Sequence, residues 1–179
     1  MKIYFLTGNE NKFKEVKKIL GDVEQLKVDL PEIQDIDSRN IIKGKLLAGF
    51  AHHPGPFMVE DTSLCFDCLN GLPGALIKWF LKTMDRPGLW EIANKMGNQK
   101  AQAKCMVGYA KTPEDIHFFE GIVHGKIVAP RGDSFGWDPV FQPDGHEKTF
   151  AEMHDGKHEI SHRRLALNKL KEFLDNESP

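Results

Sequence analysis

The chain has 179 residues, 40% of them hydrophobic, with 24 Lys and Arg against 26 Asp and Glu and a formal charge of −2. That length makes one domain, read here as 1–179 and able to divide into two lobes, and 12 Phe with 3 Trp supply a core, which excludes disorder, collagen and coiled coil. The near-neutral balance argues against a dedicated nucleic-acid binder, which carries a basic excess on one face, and leaves nucleotide chemistry open.

The opening, MKIYFLTGNENK, has an apolar stretch of only about five residues and no cleavage site, so it is not read as a signal peptide. Ile3 to Leu6 is a continuous apolar run, as in a strand buried on both faces. Thr7-Gly8-Asn9 breaks it, and Asn9 can cap a helix over 10–20 whose inner stripe is Phe13, Val16, Ile19 and Leu20. Gly21 is a natural stop. A second strand is expected over 26–30 and a helix over 38–51.

A short strand over 57–60 is expected to end at Asp61-Thr62, with 64–67 pairing nearby and a turn over 70–74. Cys65 and Cys68 form a CxxC, but no second pair or nearby His at finger spacing follows. These cysteines are therefore read as small buried residues of a reducing compartment rather than zinc ligands. Segments 76–84 and 89–96 look helical, and 102–110 and 116–128 look like long strands, the first alternating as if half-buried. A loop over 130–145 precedes a last helix over 161–176, with Leu165, Ala166, Leu170, Phe173 and Leu174 as its inner face. No apolar run approaches the ~20 residues of a membrane span. The expectation is a soluble, cytoplasmic α/β protein of mixed α+β character, with no membrane or nucleic-acid partner.

Four places can carry chemistry. The strand–TGN–helix opening offers free N–H groups and a partial positive charge to an anion, with Lys12 on the first turn; an exposed lysine on a capped helix is the plainer explanation. Glu60-Asp61 is expected at a strand end, where adjacent residues point to opposite faces and so do not share one task, and Glu32 after Leu30-Pro31 could supply another oxygen at a polyphosphate site. Carboxylates repel such a ligand, and a hard divalent cation such as Mg2+ resolves the conflict by bridging both. A solvated turn would look the same.

In 132–139, Phe135 and Trp137 flank Gly136 and offer flat faces for a purine, with Asp138 able to bond its edges, although aromatic loops also serve as core anchors. Finally, Ser161 caps a helix that opens with His162 and Arg163, and Lys157 lies just upstream. Cations are disfavoured at a helix N-terminus, so an anionic or electron-rich ligand is one explanation. His146, His154, His158 and His162 recur as if for metal, but the intervening glycines argue against one helix, and no HExxH is present.

Taken together, TGNENK (7–12), DLPE (29–32), VEDTSLCF (59–66), GLPG (71–74), IKWFL (77–81), APRGDSFGWDPVFQPDG (129–145), TFAEM (149–153) and SHRRLAL (161–167) resemble the inosine triphosphate pyrophosphatase family. The resemblance spans the chain and implies an elongated, two-lobed α/β fold, with a long, curved mixed sheet, a central substrate cleft and assembly as a homodimer. It implies hydrolysis of ITP, dITP and XTP to the monophosphate plus pyrophosphate, with Mg2+ as cofactor. By position, Thr7, Gly8, Asn9 and Lys12 match the phosphate-gripping turn, Glu32 the magnesium carboxylate, and Asp61 the catalytic aspartate at the metal. Glu60 and Thr62 support that site, and Lys45 (or Lys43) matches the second phosphate lysine. Phe135, Gly136, Trp137 and Asp138 match the segment holding base and sugar; Lys157, His162 and Arg163 match purine contacts. Ser63 replaces a common glycine, so a different turn after Asp61 is expected. The alternatives are a Maf-like pyrophosphatase, whose opening is Ser-rich, and a catalytically silent nucleotide-binding module.

Overall fold

In the computed structural model, which describes residues 3–177, β1 (Ile3–Leu6) lies between two parallel neighbours. They are β2 (Val23–Leu26), in register Ile3 with Val23, and β3 (Phe57–Phe66). Strand order is β2-β1-β3-β5-β6-β7, with β5 (Lys100–Thr112), β6 (Asp115–Ile127), β7 (Phe141–Pro143) and the short β4 (Pro73–Gly74) on β3. Because β3–β4 and β6–β7 are antiparallel, the seven-stranded sheet is mixed. The helices are α1 (Glu10–Leu20), α2 (Ser38–Gly49), α3 (Ile77–Lys95), α4 (Lys157–Ile160) and α5 (His162–Glu177).

Two compact units divide the described chain. The first holds 3–61, 105–121 and 163–177; the second holds 62–104 and 122–162. In the first unit the strands are covered on both faces. Ile3, Phe5, Met58, Cys105, Val107 and Tyr109 pack with Val16 of α1 and with Ala166, Leu167 and Leu170 of α5. Leu6, Phe57, Val59, Met106 and Ala110 pack with Ile42 and Leu46 of α2. Each such side chain removed from water contributes roughly 1.5–3 kcal/mol before entropy is counted. Gly108 makes room for α2, since a Cβ there would lie 2.3 Å from Ile42 Cγ2 and 2.8 Å from Leu46 Cδ1. The second unit builds its own core from Leu64, Phe66, Ile77, Leu89, Ala101, Ile127, Trp137, Val140, Phe141 and Phe150, among others.

Local sequence devices place α1 as expected: Asn9 Oδ1 accepts from the backbone N–H groups of Asn11 (3.0 Å) and Lys12 (3.1 Å), and Gly21 ends the helix at φ 78°. Other expectations are corrected. The second strand starts at Val23, because the chain turns tightly after Gly21 and pairs at once with β1. The strand expected to stop at Glu60 runs on to Phe66, so Asp61, Thr62 and the buried Ser63 lie within β3 and no turn follows Asp61.

The half-buried alternation of β5 holds only up to Lys104; beyond it both faces are covered by helices. The loop over 130–145 contains a 3-10 turn at Asp138–Val140 and then β7. In α5 Leu165 is 39% exposed, whereas Ala166, Leu167 and Leu170 are buried. The buried Arg163 sets that face, which recurs three, four and seven residues on. The two helices expected over 76–84 and 89–96 are present within the α3 span and meet at a kink at Asp85, whose φ of 54° and ψ of −171° are not helical.

Candidate active site

The first unit carries a network of charges at the join of α1, α2, β3, β5 and α5. Extended backbone sends consecutive side chains to opposite faces, and β3 uses this to separate its two acids. Glu60, 4% exposed, meets Lys12 Nζ at 2.7 Å and Arg163 Nε at 2.8 Å, and accepts from the thiol of Cys105 at 3.3 Å. Arg163 also pairs with Glu15 through Nη1. On the other side, Asp61 meets Lys45 Nζ at 3.2 Å, and the same ammonium lies 2.8 Å from Glu32 Oε1 and 3.3 Å from the carbonyl of Glu60. Lys45 is buried on α2, while Lys43 is exposed.

These surroundings pull the acids apart. Burial pushes Glu60 up, but Arg163 and Lys12 outweigh it and hold its carboxyl well below the usual range. Burial raises Asp61, and Lys45 and Lys12 offset this only in part. Lys12 stays above its ordinary value, because Glu60 and Asp61 overcome the opposing effect of burial. Two carboxylates on consecutive residues of β3 are therefore set apart, one tightly ionised and one nearer to accepting a proton.

Metal fit can be judged from Glu32 and Asp61. Both direct an oxygen at one ammonium, so the pair converges on a single positive charge. Among the described residues no three His, Cys, Asp or Glu side chains gather. One or two carboxylates, with substrate phosphates and waters completing the shell, is the usual arrangement for Mg2+, and hard oxygen donors suit it.

The half-buried Thr7 and the exposed Gly8 and Asn9 form the turn before α1. Asn9 N–H donates to Thr7 Oγ1 at 3.1 Å, and Gln25 Nε2 donates to the Thr7 carbonyl at 3.0 Å, so the turn is braced from β2. Thr62 is half-buried on β3 in the second unit.

In that second unit, Lys157 Nζ and Asp138 Oδ2 form a buried ion pair at 2.6 Å, and Ser134 Oγ donates to the same oxygen at 3.2 Å. The Lys157 ammonium lies 5.1 Å from the Phe135 ring centre and 5.6 Å from that of Phe150. Phe135 is half-buried and Gly136 exposed. His162 stacks on Phe150 at 5.8 Å and 20° and lies 5.2 Å from Trp137.

Burial places two further site candidates. Trp137 packs among Phe141 and Phe150 in the core of the second unit. Arg163, 2% exposed, pairs with Glu60 and Glu15, and these internal acids account for a cation at that helix start. Glu15, Cys105 and Arg86 were not singled out by sequence. Glu15 follows Lys12 by three positions, and a carboxylate on the inner face of an amphipathic helix was the available signal.

The model of the Ham1 family matches residues 3–173. The inosine triphosphate pyrophosphatase of Schizosaccharomyces pombe is 45% identical over 181 residues, covering 98% of this chain and 96% of the relative. This chain belongs to the Ham1 family. Among solved structures, the Ham1 protein of Staphylococcus aureus matches with a TM-score of 0.82 at 26% identity, over 99% of this chain and 100% of that one. A nucleoside-triphosphatase / dITP/XTP pyrophosphatase from Mycobacterium abscessus matches with a TM-score of 0.70 at 27% identity, over 95% and 98% of the two chains. Membership of the Ham1 family displaces the Maf-like alternative.

Proposed function

We propose that this chain hydrolyses deaminated purine nucleoside triphosphates (ITP, dITP and XTP) to the monophosphate and pyrophosphate, and so cleanses the nucleotide pool. The observation that carries this reading is the convergence of Asp61 and Glu32 on Lys45, next to the Glu60–Lys12 pair. Its name-bearing relative, the Schizosaccharomyces pombe inosine triphosphate pyrophosphatase, supports the substrate class.

In this mechanism Thr7, Gly8 and Asn9 receive phosphate oxygens at the start of α1, where backbone N–H groups and the helix dipole favour negative charge. Lys12, anchored by Glu60, and Lys45 offset the charge of the triphosphate. Asp61 accepts the proton of a water as that water attacks the α-phosphorus, and burial, by raising its proton affinity, suits it to the task. Pyrophosphate departs with the electrons of the broken P–O bond. Glu32 and Asp61 would hold Mg2+, which when bound polarises phosphate oxygens. No covalent nucleophile is needed, because positioning and charge stabilisation dominate phosphoryl transfer.

At the base end, Phe135 offers a flat face, and Asp138, Lys157 and His162 offer polar groups. A donor satisfied by a 6-oxo purine and left unpaired by the amino group of adenine discriminates by several kcal/mol, on the order of what mismatched buried polar groups cost. The reading includes a homodimeric assembly, carried over from the family resemblance, and a cytoplasmic setting, carried over from the cysteine usage and the opening segment.

The test is product identification. Purified protein with Mg2+ and ITP, dITP, XTP, GTP or ATP should yield IMP and pyrophosphate from ITP and leave ATP nearly untouched. IDP with orthophosphate, or no turnover of any of them, would overturn the proposal.

A further inference from the structure

The geometry points to Arg86 as a positioning residue for base binding, acting through a guanidinium fork that fixes the backbone on both sides of Phe135; this rests on the function proposed above. Arg86 Nε donates to the Gly136 carbonyl at 2.9 Å, and Nη2 donates to the Ser134 carbonyl at 2.6 Å. The residue between those two carbonyls is Phe135, whose ring lies over the Lys157 ammonium. Ser134 then continues the chain of contacts by donating from Oγ to Asp138, on the oxygen that receives Lys157. The clamped tripeptide thus touches Lys157 twice, once by a ring and once through a shared carboxylate.

The backbone around Arg86 is shaped to allow this. Asp85 breaks α3 with a φ of 54°, a region that a non-glycine residue occupies only where its surroundings demand it. Gly136, at φ 63°, takes the left-handed conformation on the other side of the clamp. Helical φ and ψ at Asp85 would redirect Arg86, and the two hydrogen bonds to 134 and 136 offer the compensation that the break requires. Two carbonyls suit arginine in particular, since its planar fork presents parallel donors, whereas a lysine ammonium is a single point charge.

Without the fork, both carbonyls turn to water and Phe135 loses its fixed approach to Lys157. Nothing in the Asp61–Lys45–Glu32 group depends on Arg86, so the loss falls on nucleotide binding and not on the chemical step. Steady-state ITP hydrolysis by the wild type, R86A and R86K measures this. The expected result is a KM for ITP raised at least about fivefold in R86A with kcat within twofold, and an intermediate KM in R86K. Amide hydrogen exchange of the peptide covering 132–140, without nucleotide, should be faster in R86A than in the wild type.

An R86A KM within twofold of wild type, or a fall in kcat with KM unchanged, would overturn the clamp while leaving the proposed function standing. A wild-type protein that does not hydrolyse ITP would instead overturn that function, and this inference with it.

Discussion

Glu60 and Asp61 are consecutive in β3, yet their carboxylates form their direct ion pairs with different cations. Glu60 is held by Lys12 and Arg163, while Asp61 is held by Lys45. The pleat of the strand makes this division, because neighbouring residues cannot share a face. One acid is thereby committed to holding cations in place, and the other is left with a raised proton affinity beside Glu32.

The first expectation concerns Asp61 as proton acceptor. Asp61→Asn should lower kcat for ITP by at least about 10² while leaving binding within about tenfold. Pyrophosphate release gives kcat, and competition with labelled nucleotide gives affinity. Undiminished turnover removes Asp61 from this role.

Lys45 sets where that acid titrates. In the metal-free protein Lys45 opposes the raising effect of burial on Asp61. Lys45→Met should therefore move the Asp61 titration to higher pH, followed by NMR of its carboxyl carbon without Mg2+, and should slow ITP hydrolysis when Mg2+ is present. A titration that stays put or moves down would contradict the assignment.

Glu60 gives a stability test of opposite sign. Its folded value is depressed, so its contribution is present above the unfolded value, about 4.3, and is lost as pH falls below that. Thermal unfolding of the wild type should weaken progressively below that pH. Glu60→Gln should flatten this acid dependence and, by leaving Lys12 and Arg163 short of a partner, cost about 3 kcal/mol at neutral pH. An unchanged acid slope in the variant would assign the effect elsewhere.

One packing feature can be probed away from the candidate site. Gly108→Ala places a methyl against Ile42 and Leu46 and should destabilise by roughly 1–3 kcal/mol in denaturant titrations.

For the buried Lys157–Asp138 pair, Lys157→Met and Asp138→Asn should each destabilise, and the double variant should lose less than the sum. An interaction energy of about 1–3 kcal/mol is expected from the cycle, and additivity would deny the pair.

What the sequence discloses here is what local physics decides. Asn9 and Gly21 bound α1 correctly, because a cap and a left-handed stop depend on nearby backbone alone. The motif residues on β3, α2 and α5 could be located. The length of β3 was hidden, since Glu60-Asp61-Thr62-Ser63 looks like an exposed strand end until Lys12, Lys45 and Arg163 arrive from distant parts of the chain. The burial of Trp137 was hidden for the same reason, since Phe141 and Phe150, its neighbours in the core, reach it only through the fold. Arg86 was invisible because its partners are backbone carbonyls, which no side-chain pattern advertises.

Cys105 adds a practical consequence. Its sulfur is buried behind Glu60, and burial, reinforced by that carboxylate, keeps it protonated far above neutrality. Alkylating reagents at pH 7 should therefore modify the partly exposed Cys65 and Cys68 first. A third adduct would form only when the first unit opens, so its rate of appearance serves as a clock for transient unfolding, readable by mass spectrometry without any nucleotide present.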